Sequence, residues 1–154
     1  MSNTNLADRT LSCLRLADPD EKCGAVTTLW SDWQTGSVEP PTPDTPAETI
    51  DIPGRPGRPQ LVPNTEVGRH SIHTRKGHAA LIHALTHIEF NAINLALDAA
   101  YRFRGLPRDF YGDWLQVAAE EACHFGLLRD HLRTLGLVFV AHPFPDHHAY
   151  SARD

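Results

Sequence analysis

The sequence predicts an all-α fold built on a long helical hairpin, and three observations carry that prediction. Two long stretches, residues 78–104 and 109–135, repeat apolar residues at helical spacing. Only a few residues, "GLPR", separate them, so the second helix must fold back antiparallel on the first. No stretch shows a credible strand pattern.

Taken in chain order, residues 1–36 carry Leu11, Leu14, Leu16, Val26, Leu29, Trp30 and Trp33, compatible with two short helices broken at "ADPDEKCG" by Pro19 and Gly24. Residues 37–70 hold most of the twelve prolines. Proline fixes φ and removes a backbone donor, so this segment is neither helix interior nor central strand. Ile50, Ile52, Leu61 and Val62, interleaved with Arg55 and Arg58, suit an extended strap lying across a surface better than a free linker. Residues 71–136 form the hairpin. Its first helix starts near His78 and runs to Arg104, stopped by Gly105 and Pro107. The apolar line Leu81, Leu85, Ile88, Ala92, Leu95, Ala99 and Phe103 reads as its buried seam. The second helix opens at "PRDFYGDW" with Asp109 as a candidate cap, and it closes before Gly136. Its line is Phe110, Trp114, Val117, Glu121, His124, Leu128, Leu132 and Leu135. Residues 137–154 make an irregular tail.

With 154 residues, 41% hydrophobic and 21% charged, the chain has the length of one domain and apolar residues enough for a core. A net charge of -5 offers no footprint for a phosphate backbone, so no nucleic-acid partner is expected. No apolar run approaches the roughly 20 residues of a membrane span. The start "MSNTNLADRT" lacks the basic-then-apolar order of a signal peptide, so a cytoplasmic protein with no membrane association is expected. Cys13, Cys23 and Cys123 are odd in number and lack CxxC spacing, which suits reduced thiols rather than disulfides or a zinc ribbon.

The chemistry sits in the second helix, where Glu121 and His124 take consecutive places in an apolar line. Three residues apart on a helix, they project from neighbouring points of one face. An ionised carboxylate buried there costs several kcal/mol unless it is compensated, and a metal ion compensates it directly. The first helix has a matching residue: Glu89 has Leu85, Ile88, Ala92, Ile93 and Ala96 as helical neighbours. His83 and His87 align instead with Asn91, Asn94 and Asp98, so they are expected at the surface or behind a ligand. Glu120 aligns with Asp113, Gln116 and Cys123, on the flank. One Glu from one helix with a Glu-x-x-His from the next is half of the carboxylate-bridged centre of ferritin-like bundles. Carboxylates with imidazole suit iron or manganese. The competing expectation is a hydrogen-bonded Glu and His joining two helices. His142, His147 and His148 beside Asp146 form a second, weaker candidate in the tail.

The segments "PGRPGRPQLVP", "GHAALIHALTHIEFNAINLALDAAYRF" and "FYGDWLQVAAEEACHFGLLRDHLRTLG", above all "HALTHIE" followed by "EEACHF", resemble the DUF455 family of ferritin-like domain proteins. The related superfamily includes a tRNA-modifying di-iron hydroxylase. The resemblance runs from about Pro53 to Gly136. It implies a four-helix ferritin-like core with Glu89, Glu121 and His124 among its metal ligands, a dinuclear iron or manganese centre, and an oxidoreductase or hydroxylase ancestry.

The family pattern continues with two more core helices carrying a further Glu and a second ExxH. The stretch "LVFVAHPFPDHHAYSARD" departs from that pattern, which fits a prematurely ended or frameshifted product presenting half of a four-helix bundle. Two copies packed about a twofold axis would supply six ligands and cover the seam, so a homodimer is expected. The alternative is a non-catalytic helical interaction module without a complete metal site.

Overall fold

The computed structural model describes residues 4–50, 61–62, 73–137, 139 and 144–145, and among these the protein is mainly helical. Capping side chains decide where the helices begin. Helix α1 (Leu6–Arg15) starts where Asn5 Oδ1 accepts from the Ala7 amide at 2.8 Å, satisfying a donor the first turn leaves without an intrahelical partner. Helix α2 (Pro19–Gln34) starts where Asp18 accepts from the Asp20 and Glu21 amides at 2.7 and 3.3 Å, with Pro19 where a missing N–H costs nothing. The break between the two short helices falls at residues 16–18, so Gly24 lies inside α2 and does not end a helix.

Helix α3 (Arg75–Arg102) is opened by Thr74, whose hydroxyl accepts from the Gly77 amide at 2.9 Å. It begins three residues before the expected start and ends two before the expected stop. Helix α4 (Arg108–Thr134) starts one residue before Asp109, which lies in its first turn rather than at its cap. It ends with the left-handed Gly136 (φ 76°), where the Leu137 amide donates to Leu132 O and the Gly136 amide to Arg133 O, both at 3.0 Å. That pairing is a Schellman motif. Short parallel pairings complete the description: β1 (Thr4–Asn5) with β2 (Val38–Glu39), and β3 (Leu61–Val62) with β4 (Phe144–Pro145). Two-residue ladders carry no alternation long enough to detect in a sequence.

The chain divides into two compact units, Met1–Arg55 with Ala92–Ala122, and Pro56–Asn91 with Cys123–Asp154. In the first, α1, α2 and parts of both long helices bury Leu6, Leu14, Leu29, Leu97, Tyr111 and Leu115. Trp33 is the anchor. Its ring meets Tyr111 edge-on at 6.4 Å, lies under the Arg108 guanidinium at 3.9 Å, and would stand 3.1 Å from any Cβ at position 112, which accounts for Gly112 inside α4. The hairpin bend is held by the Tyr111 hydroxyl, which donates to Phe103 O at 3.1 Å and accepts from the Leu106 amide at 3.3 Å. The Glu48 amide donates to Tyr101 Oη at 2.7 Å and Arg104 to Thr45 O at 2.9 Å, so the described part of the proline-rich segment lies against α3. The second half of the expected strap, residues 51–60 and 63–70, lies outside the described residues, as does most of the tail, including His142, Asp146, His147 and His148.

Lys22 is fully buried in this unit, and its amine donates to Leu14 O at 3.1 Å and to Asn94 Oδ1. Burial pushes its pKa down to about 8, partly opposed by Cys13 and Cys23. Burial also pushes the Cys23 thiol up to about 11 and the Cys13 thiol upward. From pH 8 to about 9 the unfolded chain keeps a proton on Lys22 that the folded chain has released, so stability rises with pH. Above about 9 the Cys23 thiol ionises in the unfolded chain while staying protonated in the folded one, and the raised Cys13 thiol acts in the same direction, so the rise from Lys22 is offset. Urea unfolding across this range is expected to show stability rising from pH ~8 and levelling off near pH ~9, with a slope of at most about 1.4 kcal/mol per pH unit. Lys22→Met should lose the rising limb; a wild-type profile already falling at pH 8 would contradict the assignment.

In the second unit Phe90, Phe125 and Phe139 pack ring against ring, at 5.6 Å, 5.1 Å and 5.8 Å between centroids, and all three are buried. His83 and His87 are buried with them, which rules out the surface position among the two places expected for them, at the surface or behind a ligand. Phe139, beyond the end of α4, covers both: its carbonyl lies 2.6 Å from His83 Nε2, and its ring lies 5.8 Å from the His87 ring. A residue beyond the hairpin buries them, and helical periodicity cannot register that.

The seams also differ from expectation. On α3 the buried line is His83, His87, Phe90, Asn94, Leu97 and Tyr101, while Leu81, Leu95 and Phe103 of the expected seam are 39%, 69% and 49% exposed. On α4 the buried line is Tyr111, Leu115, Ala118, Ala122 and Phe125, one residue round from the expected line, whose Trp114 is 37% exposed, although Leu132 of the expected line is buried. Each helix therefore carries two apolar sectors. Within its own unit the chain covers the one rich in alanine and aromatic residues, where Ala96, Ala100, Ala118 and Ala122 allow close approach. Among the described residues no helix is long and apolar enough to cross a membrane.

Candidate metal centre

Glu89 and His124 come from the halves of α3 and α4 that belong to the second unit, each one residue from a buried phenylalanine, Phe90 or Phe125. That packing fixes their positions on the two helices. His124 Nδ1 lies 3.9 Å from Glu89 Oε2, with the side chains 54% and 23% exposed. This is too long for a direct hydrogen bond. Glu121 stands one turn before His124 on the same unbroken helix and is half-buried. Each of the three offers a donor atom, and those atoms all lie within 4.8 Å of one another. Three donors on one ion stand about 3.0–3.6 Å apart when each bond is roughly 2.1 Å, so side-chain movements on the order of an ångström would close the group.

The donor set therefore fits a hard or borderline cation: two carboxylates to offset its charge and one imidazole. Glu120 stays outside the group, exposed, accepting a hydrogen bond from Gln116 Nε2 at 3.0 Å. His83 and His87 are buried around Phe139. Sequence reading did not single out one further pair, His78 and His131, whose Nε2 atoms stand 3.4 Å apart. The available signal was positional, because an antiparallel hairpin brings the first turn of one helix beside the last turn of the other.

No solved structure matches the chain with significance. It is 40% identical over 136 residues to an uncharacterized protein of Haemophilus influenzae (strain ATCC 51907 / DSM 11121 / KW20 / Rd), covering 81% of this chain and 46% of that protein. The chain thus spans about half the length of the curated relative it matches. The profile of the family described as "Protein of unknown function (DUF455)" matches residues 15–151. With nearly its whole length matched in this way, the chain belongs to the DUF455 family.

Proposed function

We propose that the protein is a ferritin-like metalloprotein whose hairpin binds iron or manganese through Glu89, Glu121 and His124. The observation that carries this reading is the convergence of two carboxylates and an imidazole from facing helices within 4.8 Å. When bound, such a metal supplies redox chemistry, and an oxidoreductase of hydroxylase type is the reaction class that follows. The chain's own contribution is positional. Glu121 and His124 are spaced by one helical turn so that both aim at one point, and Glu89 meets them from α3. The test is metal analysis of protein purified without added iron, with Glu121→Ala as control. Metal in the wild type and none in the variant supports the reading; equally little in both overturns it.

Three donors are half of what a dinuclear carboxylate centre uses, and a second copy of the chain would supply the other three. The exposed sector favours that occupant. Leu95, Phe103, Leu106 and Trp114, all in the first unit, are 69%, 49%, 40% and 37% exposed, and Phe103 touches Phe110 ring to ring at 6.0 Å. Large exposed apolar residues gathered on one unit are the composition of an association site. Sedimentation is expected to give a dimer for the wild type and a monomer of unchanged helix content for Leu95→Glu. A metal-loaded monomeric wild type would remove the second copy from the proposal.

The second reading, a helical interaction module without metal, draws on the same exposed residues. A metal-free wild type whose exposed sector still drives association would favour it.

A further inference from the structure

We propose that His78 and His131 form a second, independent cation site that clamps the start of α3 to the end of α4, taking a borderline divalent ion of the zinc, nickel or copper(II) class. Both histidines are exposed, so burial gives them no reason to meet. Yet their Nε2 atoms lie 3.4 Å apart, with rings at 89° and centroids 5.7 Å apart, an arrangement of tips turned toward each other rather than stacked faces. The separation is long for a hydrogen bond between neutral rings. It equals the spacing of two imidazoles on one tetrahedral ion, since two bonds of roughly 2.05 Å at the tetrahedral angle put the nitrogens about 3.35 Å apart.

Small rotations of two exposed side chains turn both lone pairs toward an ion beside the line joining them. The backbone beneath is anchored at both ends. The His78 amide donates to Thr74 O at 2.8 Å, and His131 O accepts from the Leu135 amide at 3.2 Å and from Thr134 Oγ1 at 2.6 Å. Water fills the remaining coordination positions, so the site is exchangeable. With imidazoles as its donors among the described residues it discriminates against magnesium and calcium, which prefer oxygen, and it ranks copper(II) above nickel and zinc. The group at Glu89, Glu121 and His124 adds carboxylate oxygens and so also takes harder cations such as manganese and iron, which two imidazoles alone hold poorly.

The test is calorimetric titration of the full chain, stripped of metal, with zinc and copper(II). It is run in a background where His142, His147 and His148 are changed to glutamine, so that the tail cannot compete. Two binding events are expected, one that depends on Glu121 and one that depends on His78 and His131, the latter tighter for copper(II) than for zinc. His78→Gln and His131→Gln should each weaken this latter event more than tenfold, with circular dichroism unchanged, and Glu121→Ala should leave it intact. Equal titrations for the background protein and both histidine variants would overturn the proposal. Loss of the same binding event in Glu121→Ala would also overturn it, by assigning the ion to the carboxylate group.

Discussion

Glu121→Ala is expected to reduce iron and manganese binding more than about 100-fold. Groups that merely support a ligand cost roughly 10- to 100-fold when removed, so loss of one of only three donors exceeds that range. Measured with manganese, only the wild type should gain stability, following the logarithm of metal concentration. Glu120→Ala is the paired control, because Glu120 is exposed and bonded to Gln116 on the flank of the same helix. It should bind metal as wild type does. A Glu121→Ala protein destabilised by 1 to 3 kcal/mol with metal content unchanged would make Glu121 a hydrogen-bonding residue between helices and end the metal reading.

The hairpin was legible because its signals are local. Helical periodicity, the Gly105 and Pro107 stop, and Gly136 at the far end each act within a turn or two, and the structure has two long helices within a few residues of the expected bounds. The grouping of Glu89, Glu121 and His124 was legible for a related reason. Each is an ionisable residue set among apolar helical neighbours, and a short connection forces the helices antiparallel. What was not legible is which apolar sector of each helix the chain covers. Leu95 and Leu97 have identical side chains two residues apart, yet one is 69% exposed and the other fully buried. The choice is made by distant residues: Trp33 against Gly112, Asn94 with Lys22, Phe139 over His83 and His87. None of these contacts leaves a periodic trace. The candidate ligands consequently lie beside the buried sector rather than within it. His124 in particular is half-exposed, where the sequence pattern placed it in the core.

Phe125→Ala carries the largest expected loss of stability, about 3–5 kcal/mol, the usual range for deleting a buried phenylalanine with incomplete collapse around the void. Three observations put it toward the upper end. The ring is fully buried, it meets Phe90 at 5.6 Å and Phe139 at 5.1 Å and 87°, and the Arg129 guanidinium sits 5.4 Å from its centroid. Aromatic pairs of this geometry add roughly 0.5–1.5 kcal/mol beyond burial. Against a total stability of about 5–15 kcal/mol for a domain, that loss brings the protein close to its unfolding threshold. Phe125→Leu keeps much of the volume and should lose appreciably less. Leu127→Ala, at a position 66% exposed, should stay within about 0.5 kcal/mol of wild type. Urea unfolding followed by circular dichroism measures all three. The same cluster holds the backbone of Glu89 and His124 through their neighbours Phe90 and Phe125, so packing and metal affinity are coupled. Under conditions where Phe125→Ala is still folded, it should bind manganese more weakly than Leu127→Ala does, although it alters no donor. Unchanged affinity in a destabilised Phe125→Ala protein would mean that the donor geometry is set by the helices alone, without the aromatic cluster beneath it.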